Sequence, residues 1–382
     1  MSKFILYLPY SRFIDLYEQK GSGALLIGFK EIGYNSQVIV GKMESSKFRR
    51  LGIKIYETNN LGEKYIVYDH SKMHIAKRIK NFFNIRELLS VLNILINERP
   101  EIFMSYDNST LTGLIILIYK FYCRVFRINT LFILKLDSDG ASIASISKGR
   151  KKLVYLYYGF LSFIFTRIIT ETTCGYGIFK NVPGMKARLR VVPNSVSDDF
   201  LARYEPTIRK KNIISVSRIT PQKGLDILLK SFSNICHQHP EWNLEILGTI
   251  TNRSYYEELI KLIEKLDIKE KVNFPGYFNR EQLIKKYRTS SIFCLPSRHE
   301  SFAISRLEAL SQGMYVITTT AGCAEDFLSY GVHIVPIDNI ELLADSLEEG
   351  ITMIESGEFK PDINKKITSY SQIASIISSP DF

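Results

Sequence analysis

No Cys-x-x-Cys pair occurs in this chain of 382 residues. The five cysteines, Cys123, Cys174, Cys236, Cys294 and Cys323, are scattered and odd in number. That excludes a disulfide framework or a zinc site readable from spacing, and it fits a reduced cytosolic chain in which all five thiols serve packing. The six histidines likewise lack metal-ligand spacing. There is no internal repeat and no low-complexity tract. The start, "MSKFILYLPYSRF", has no secretory n-region, apolar h-region or small-residue cleavage site and reads as a first buried strand. The uncharged stretch 153–166 has 14 residues, too few to span a bilayer. Also missing is a strand followed by G-x-G-x-x-G with an acid about twenty residues on, which argues against an NAD-dependent oxidoreductase.

What is present is the composition of a globular protein, 45% hydrophobic and 23% charged. The length favours two domains. The net charge of +11 is unevenly placed: residues 1–195 hold 29 Lys+Arg against 14 Asp+Glu, and the remainder holds 21 against 25. The halves therefore carry +15 and −4, so the first half is suited to an anionic partner.

In the second half, short β-branched runs at 212–217, 243–247, 271–274, 290–295, 314–319 and 332–336 alternate with helix-like segments near 223–237, 253–267, 279–288, 302–312 and 339–354. Such alternation predicts a parallel sheet covered on both faces. The first half repeats the theme at 3–8, 36–40, 52–56, 101–105, 130–136, 167–170 and 190–193. The polar, proline-bearing stretch 194–211 predicts the boundary. The reading is α/β: two doubly wound Rossmann-like domains, 1–195 and 196–360, with a closing helix in 361–382 returning to the first. The ligand site is expected at the carboxyl ends of the strands, in a cleft shared by the domains.

In "RHESFAISRLEAL" (298–310), Glu300 and Glu308 stand eight positions apart. On a helix that spacing gives roughly 12 Å of rise and about 80° of rotation. Two such carboxylates can address one elongated ligand from the same side, through two sets of hydroxyls, but cannot share a metal. The amides of 302–305 would form a helix N-terminus, an anion site. Alone, the acids would better suit a solvated helix surface. "SVSRITPQKGLD" (215–226) puts Arg218 and Lys223 in a loop beyond a strand, where a guanidinium fork and an ammonium suit a diphosphate, or form an ordinary cationic turn. His299 can line the site or serve structure.

Taken together, "SRITPQKG", "LEILG", "VNFPGYF", "FCLPSRHESFAISRLEALSQG" and "TTAGCAED", in that order, resemble the family 4 glycosyltransferases, retaining sugar transferases of the GT-B fold. Glu300 and Glu308 match the family's E-x7-E pattern, and Arg218 and Lys223 match its basic pair. The resemblance is strong over about 195–355 and weaker before it. It implies that Arg218 and Lys223 neutralise the diphosphate of a nucleotide-sugar, that Glu300 holds hydroxyls of the transferred sugar, and that Glu308 holds the ribose. The backbone around Phe302, Ala303 and Ile304 would touch sugar and phosphate, and Gly276 and Tyr277 would line the base pocket. The family's glycine loop is matched by Gly21 and Gly23 in "KGSGALL". The resemblance implies a front-face reaction with no nucleophile and no metal cofactor.

Two departures stand out. Ser301 replaces a frequent glycine. "LFILKLDSDG" (131–140) occupies the region of an active-site histidine, with Asp137 the best match and Asp139 the alternative. "DSD" also imitates a metal-binding D-x-D motif, but the diphosphate role already has its cations, which favours a structural or acceptor-side role for these aspartates.

The stretches 111–126 and 153–166 are apolar, aromatic and flanked by cations, and 74–92 is basic and amphipathic. They suit buried helices or helices lying on an anionic membrane. The expected partners are a nucleotide-sugar, a glycan or lipid-linked acceptor and an anionic membrane surface, without nucleic acid. The expected place is cytoplasmic, peripheral on the inner face of the cell membrane. The rival reading is a non-catalytic sugar- or nucleic-acid-binding scaffold of the same fold.

Overall fold

The computed structural model describes residues 1–13, 21–43, 47–58, 84–106, 108–136, 148–201, 208–361, 367–380 and 382. The chain forms two compact units, Met1–Asn194 with Ser369–Phe382, and Ser195–Thr368.

The first unit is a seven-stranded parallel sheet in the order β3-β2-β1-β4-β5-β6-β7. Its strands are β1 (Lys3–Phe13), β2 (Asn35–Met43), β3 (Lys54–Glu57), β4 (Ile102–Ser105), β5 (Leu131–Leu136), β6 (Arg167–Thr170) and β7 (Leu189–Val191). All seven fall on the expected runs. β1 extends past its expected end, and its register on β2 shifts between Leu8 and Arg12, where Pro9 has no N–H to give the ladder. The longer helices are α1 (Ser22–Glu31), α2 (Ile85–Glu98), α3 (Thr110–Phe126), α4 (Lys148–Ile164) and α5 (Thr173–Phe179). Alternate residues of each strand enter opposite layers: Ile5 and Tyr7 pack with α2 and α3 residues such as Leu95 and Ile115, while Phe4 and Leu6 pack with Leu26 and Phe29 of α1.

The second unit is a six-stranded parallel sheet in the order β10-β9-β8-β11-β12-β13. Here β8 is Lys210–Val216, β9 Asn243–Leu247, β10 Val272–Gly276, β11 Ser290–Leu295, β12 Tyr315–Thr319 and β13 Val332–Val335. The helices are α6 (Leu225–Ile235), α7 (Arg253–Lys265), α8 (Arg280–Thr289), α9 (Ile304–Ser311) and α10 (Ile340–Glu355). Every expected strand and helix is present, with ends moved by at most two residues. Ile213 and Ile292 face the layer holding Leu228, Phe232 and Trp242, and their neighbours Ile214 and Phe293 face the layer holding Leu307 and Leu310.

After the second unit the chain returns to the first through α11 (Tyr370–Ser378). A Cβ on Gly28 of α1 would lie 2.5 Å from the Tyr370 carbonyl oxygen, so only glycine permits this approach of α1 and α11. Arg167 secures the far end by donating to the carbonyls of Ile377, Ser379 and Pro380.

Cys123, Cys236 and Cys294 are buried free thiols. Cys174, at the start of α5, is exposed and does not serve packing as expected.

Candidate active site

In the second unit the strand order reverses between β8 and β11. Open parallel sheets bind ligands beyond the carboxyl ends at such a reversal, because the connections diverge there and leave a crevice. The loop after β8 carries Arg218 and Lys223, and the loop after β11 carries Ser297 and Glu300.

The two loops meet through Lys223 Nζ, which donates to Glu300 Oε1 at 2.5 Å. Ser297 Oγ donates to the same oxygen at 2.7 Å. Both ionic side chains are nearly buried, 12% and 10% exposed, so each depends on the other for compensation. Gly224 makes the approach possible. Its φ is +62°, and a Cβ there would lie 2.0 Å from the Pro296 carbonyl oxygen.

A third residue, missed from sequence, joins the loops. The Arg298 amide donates to the Gln222 carbonyl at 2.8 Å. Its guanidinium donates to the Pro221 carbonyl, takes both oxygens of Asp226 at 2.8 Å and reaches Asp338 at 2.6 Å. Burial pushes the Asp226 carboxyl up, but hydrogen bonds from Arg298 and Tyr255 outweigh burial and hold it below the usual carboxylate range. No short sequence pattern could have paired residues 226, 298 and 338.

Helix α9 begins at Ala303, which caps it in the left-handed conformation, φ +61°, with no side-chain cap. Glu308 lies in α9 and is 2% exposed. Tyr287 Oη of α8 donates to Glu308 Oε2 at 3.0 Å. Burial, and then the charge of Glu308, raise the Tyr287 pKa, so the hydroxyl keeps its proton and remains a donor. Glu300 and Glu308 are thus both buried and hydrogen-bonded, which rules out the solvated-surface alternative.

The other expected residues are distributed as follows. Arg218 is exposed beyond β8. Gly276 ends β10 at φ +81° with open space where a Cβ would stand, and Tyr277 beside it is 51% exposed. The Phe302 ring is buried against Phe327, centroids 5.2 Å apart, so only its backbone remains for a ligand. Ile304 is half-buried, and His299 is exposed.

In the first unit, the Gly21 amide donates to Tyr370 Oη at 3.1 Å, so that N–H is engaged within the protein. Gly23 is buried in the first turn of α1. Asp137 and Asp139 lie outside the described residues. Beside them in sequence, buried Lys135 on β5 is held by Glu171 and by Asn194 at 2.7 Å, beyond β6 and β7.

Residues 200–365 match the family model described as "Glycosyl transferases group 1". Mannosylfructose-phosphate synthase of Agrobacterium fabrum is 30% identical over 171 residues, 44% of this chain and 37% of that protein. The lipopolysaccharide core biosynthesis mannosyltransferase LpsB of Rhizobium meliloti is 24% identical over 143 residues, 36% of this chain and 40% of that protein. The chain thus spans well under half the length of these two relatives. The crystal structure of Anabaena HepE in complex with UDP and glucose superimposes with a TM-score of 0.68 at 14% identity, covering 99% of this chain and 98% of that one. Residues 200–365 of the second unit thus match the glycosyl transferases group 1 model, and the chain as a whole has the GT-B fold.

Proposed function

We propose that the chain is a retaining hexosyltransferase that moves a sugar from a nucleotide-diphosphate sugar to a glycan or lipid-linked acceptor. The observation that carries this reading is the buried Lys223–Glu300–Ser297 contact at the strand-order reversal. It holds a cation and a hydroxyl-binding carboxylate side by side, as a diphosphate joined to a sugar requires.

In this reading Lys223 and Arg218 neutralise the diphosphate, most strongly as its charge grows in the transition state. Glu300 orients hydroxyls of the transferred sugar. Glu308, steadied by Tyr287, receives the ribose hydroxyls. The amides of Ala303 and Ile304 face sugar and phosphate, and Gly276 and Tyr277 border the base. The bond from the anomeric carbon to the phosphate oxygen breaks as the acceptor oxygen bonds to that carbon on the same face. The acceptor proton passes to the departing phosphate oxygen. Asp137 is assigned to the acceptor hydroxyl. In this reading the two cations serve the diphosphate without a metal, and chelation with EDTA is expected to leave the rate unchanged.

The acceptor side rests on the first unit. On α3, Phe121 is 72%, Val125 57% and Phe126 57% exposed; on α4, Leu153 is 69%, Leu156 60% and Phe163 72% exposed. The helices touch where Gly113 of α3 meets Ile164 of α4. Arg124, Arg127 and Lys152 are exposed among these apolar groups. Aromatic side chains interleaved with cations suit the headgroup region of an anionic membrane. Among the described residues no helix is long and apolar enough to cross a membrane. The attachment assigned here is peripheral, through this aromatic and cationic face, on the cytoplasmic side.

Calorimetric titration with UDP, GDP, ADP and their sugars tests the donor assignment, with UDP and UDP-glucose first because HepE was solved with UDP and glucose. Saturable binding of one nucleotide, weakened by Lys223→Ala, supports it. No binding with or without lipid, or no effect of Glu300→Gln, favours a non-catalytic scaffold.

A further inference from the structure

Arg306 of α9 is fully buried. Its Nη2 donates to the Phe302 carbonyl at 2.7 Å and the Gly322 carbonyl at 3.3 Å. The guanidinium lies over the Phe327 ring, 4.1 Å from its centroid, and among the described residues Nε and Nη1 have no hydrogen-bond partner. Burial lowers its pKa to about 10, with Glu300, Asp326 and Glu325 opposing the fall, so it stays charged at neutral pH. A buried guanidinium with unpaired donors is a costly way to fill space, and an apolar side chain would serve stability as well.

Its position indicates another role. Arg306 and Glu308 are two residues apart, so about 200° of rotation puts them on opposite faces of α9. Arg306 therefore lies behind the helix start, away from the face that carries Glu308. In a trans peptide the C=O and the following N–H point in opposite directions, and the described residues include no cis peptide. Drawing the Phe302 carbonyl toward Arg306 turns the Ala303 N–H the other way. Ala303 also holds a left-handed conformation that an alanine adopts only against strain. The loop at Gly322 is tied in too: a Cβ there would lie 2.7 Å from Glu300 Cβ, so the second carbonyl held by Arg306 belongs to the segment against which Glu300 rests.

We propose that Arg306 is a positioning residue that fixes the Phe302–Ala303 peptide and the Gly322 loop from behind, aiming the Ala303 amide and the Glu300 side chain at the transferred sugar. This rests on the nucleotide-sugar reading above and adds the residue that would set the sugar end of the site.

The test compares Arg306→Met, Arg306→Lys and Arg306→Met/Ala303→Gly with the unaltered protein and with Glu300→Gln. Thermal melting, affinity for the nucleoside diphosphate, affinity for its sugar, and transfer rate are measured. In Arg306→Met we expect an unchanged or higher melting temperature and diphosphate affinity within about twofold. The extra affinity contributed by the sugar, and kcat, should each fall about tenfold or more, the scale of losing an aligned donor. Glycine at 303 enters the left-handed region unaided and should restore part of that loss. Arg306→Lys, which can hold one carbonyl, should fall between. The proposal is overturned if Arg306→Met keeps kcat within twofold, or if melting temperature, diphosphate binding and kcat fall together. If Glu300→Gln is silent as well, the nucleotide-sugar reading itself has failed.

Discussion

Lys223 Nζ and Glu300 Oε1 lie 2.5 Å apart at the strand-order reversal of the second unit, with Ser297 Oγ on the same carboxylate oxygen. A bound diphosphate would draw the ammonium away, and sugar hydroxyls would take its place on Glu300. The ion pair keeps two charges buried at tolerable cost until ligand arrives.

Glu300→Gln is expected to lower kcat/KM by about 10²–10³-fold, because an amide cannot bind hydroxyls as a carboxylate does, nor balance positive charge developing on the sugar. Diphosphate affinity should stay the same or rise, since Lys223 loses its competing partner. Parallel kinetics and calorimetry read both. A parallel loss of nucleotide affinity would place Glu300 elsewhere.

Tyr287→Phe removes the hydroxyl that donates to Glu308. One oxygen of a buried carboxylate then loses a donor, at a cost of about 1–3 kcal/mol to stability. Glu308 also loses one of the contacts that orient it. The donor KM should rise several-fold with kcat little changed, since ribose contacts are the same in ground and transition states. A kcat loss without a KM change would contradict the ribose role.

The sequence conveys the sheets well because strands buried on both faces read as continuous apolar runs, "SSIFCL" and "NLEIL" above all. Glu300 and Glu308 were legible because their spacing is local, although the structure puts only Glu308 on α9 and leaves Glu300 in the loop before it, so the helical rise and rotation do not apply to the pair. Their supports were not. Ser297 sits beside Glu300, but its part depends on a lysine 74 positions before it, and Tyr287 reaches Glu308 from another helix. Nothing in the sequence around Arg306 marks it, and only the fold buries it over Phe327. At Gly21 a local G-x-G pattern suggests a phosphate loop, while a residue 349 positions on, Tyr370, engages its amide, which no local pattern could show.

Arg298→Leu tests the brace between the loops. Asp226 is held below the usual carboxylate range in the folded protein. Its contribution to stability is therefore present above its unfolded pKa of about 4 and is lost as pH falls through the folded value. At pH 7 the substitution should lower the melting temperature of the second unit by a few degrees. Below about pH 4 the gap should narrow as Asp226 protonates in both proteins. Melting curves from pH 3 to pH 8 read the effect. A gap independent of pH would assign the loss to packing of the arginine stem.

The exposed face of α3 and α4 gives a prediction independent of the donor site. Phe121 and Phe163 are each 72% exposed, so replacing both with glutamate should change stability by no more than about 0.5 kcal/mol per site. Binding to vesicles is a different matter. Each change removes an apolar side chain from the lipid interface and adds a charge that anionic headgroups repel. Flotation with vesicles of phosphatidylglycerol and phosphatidylcholine should show the unaltered protein binding when the anionic lipid is present. Binding should weaken as salt rises and screens the cations. The double variant should stay in solution at every salt concentration while keeping its melting temperature and its nucleotide affinity. Equal flotation of both proteins, or binding to pure phosphatidylcholine that salt leaves unchanged, would remove this face from the acceptor side of the reaction.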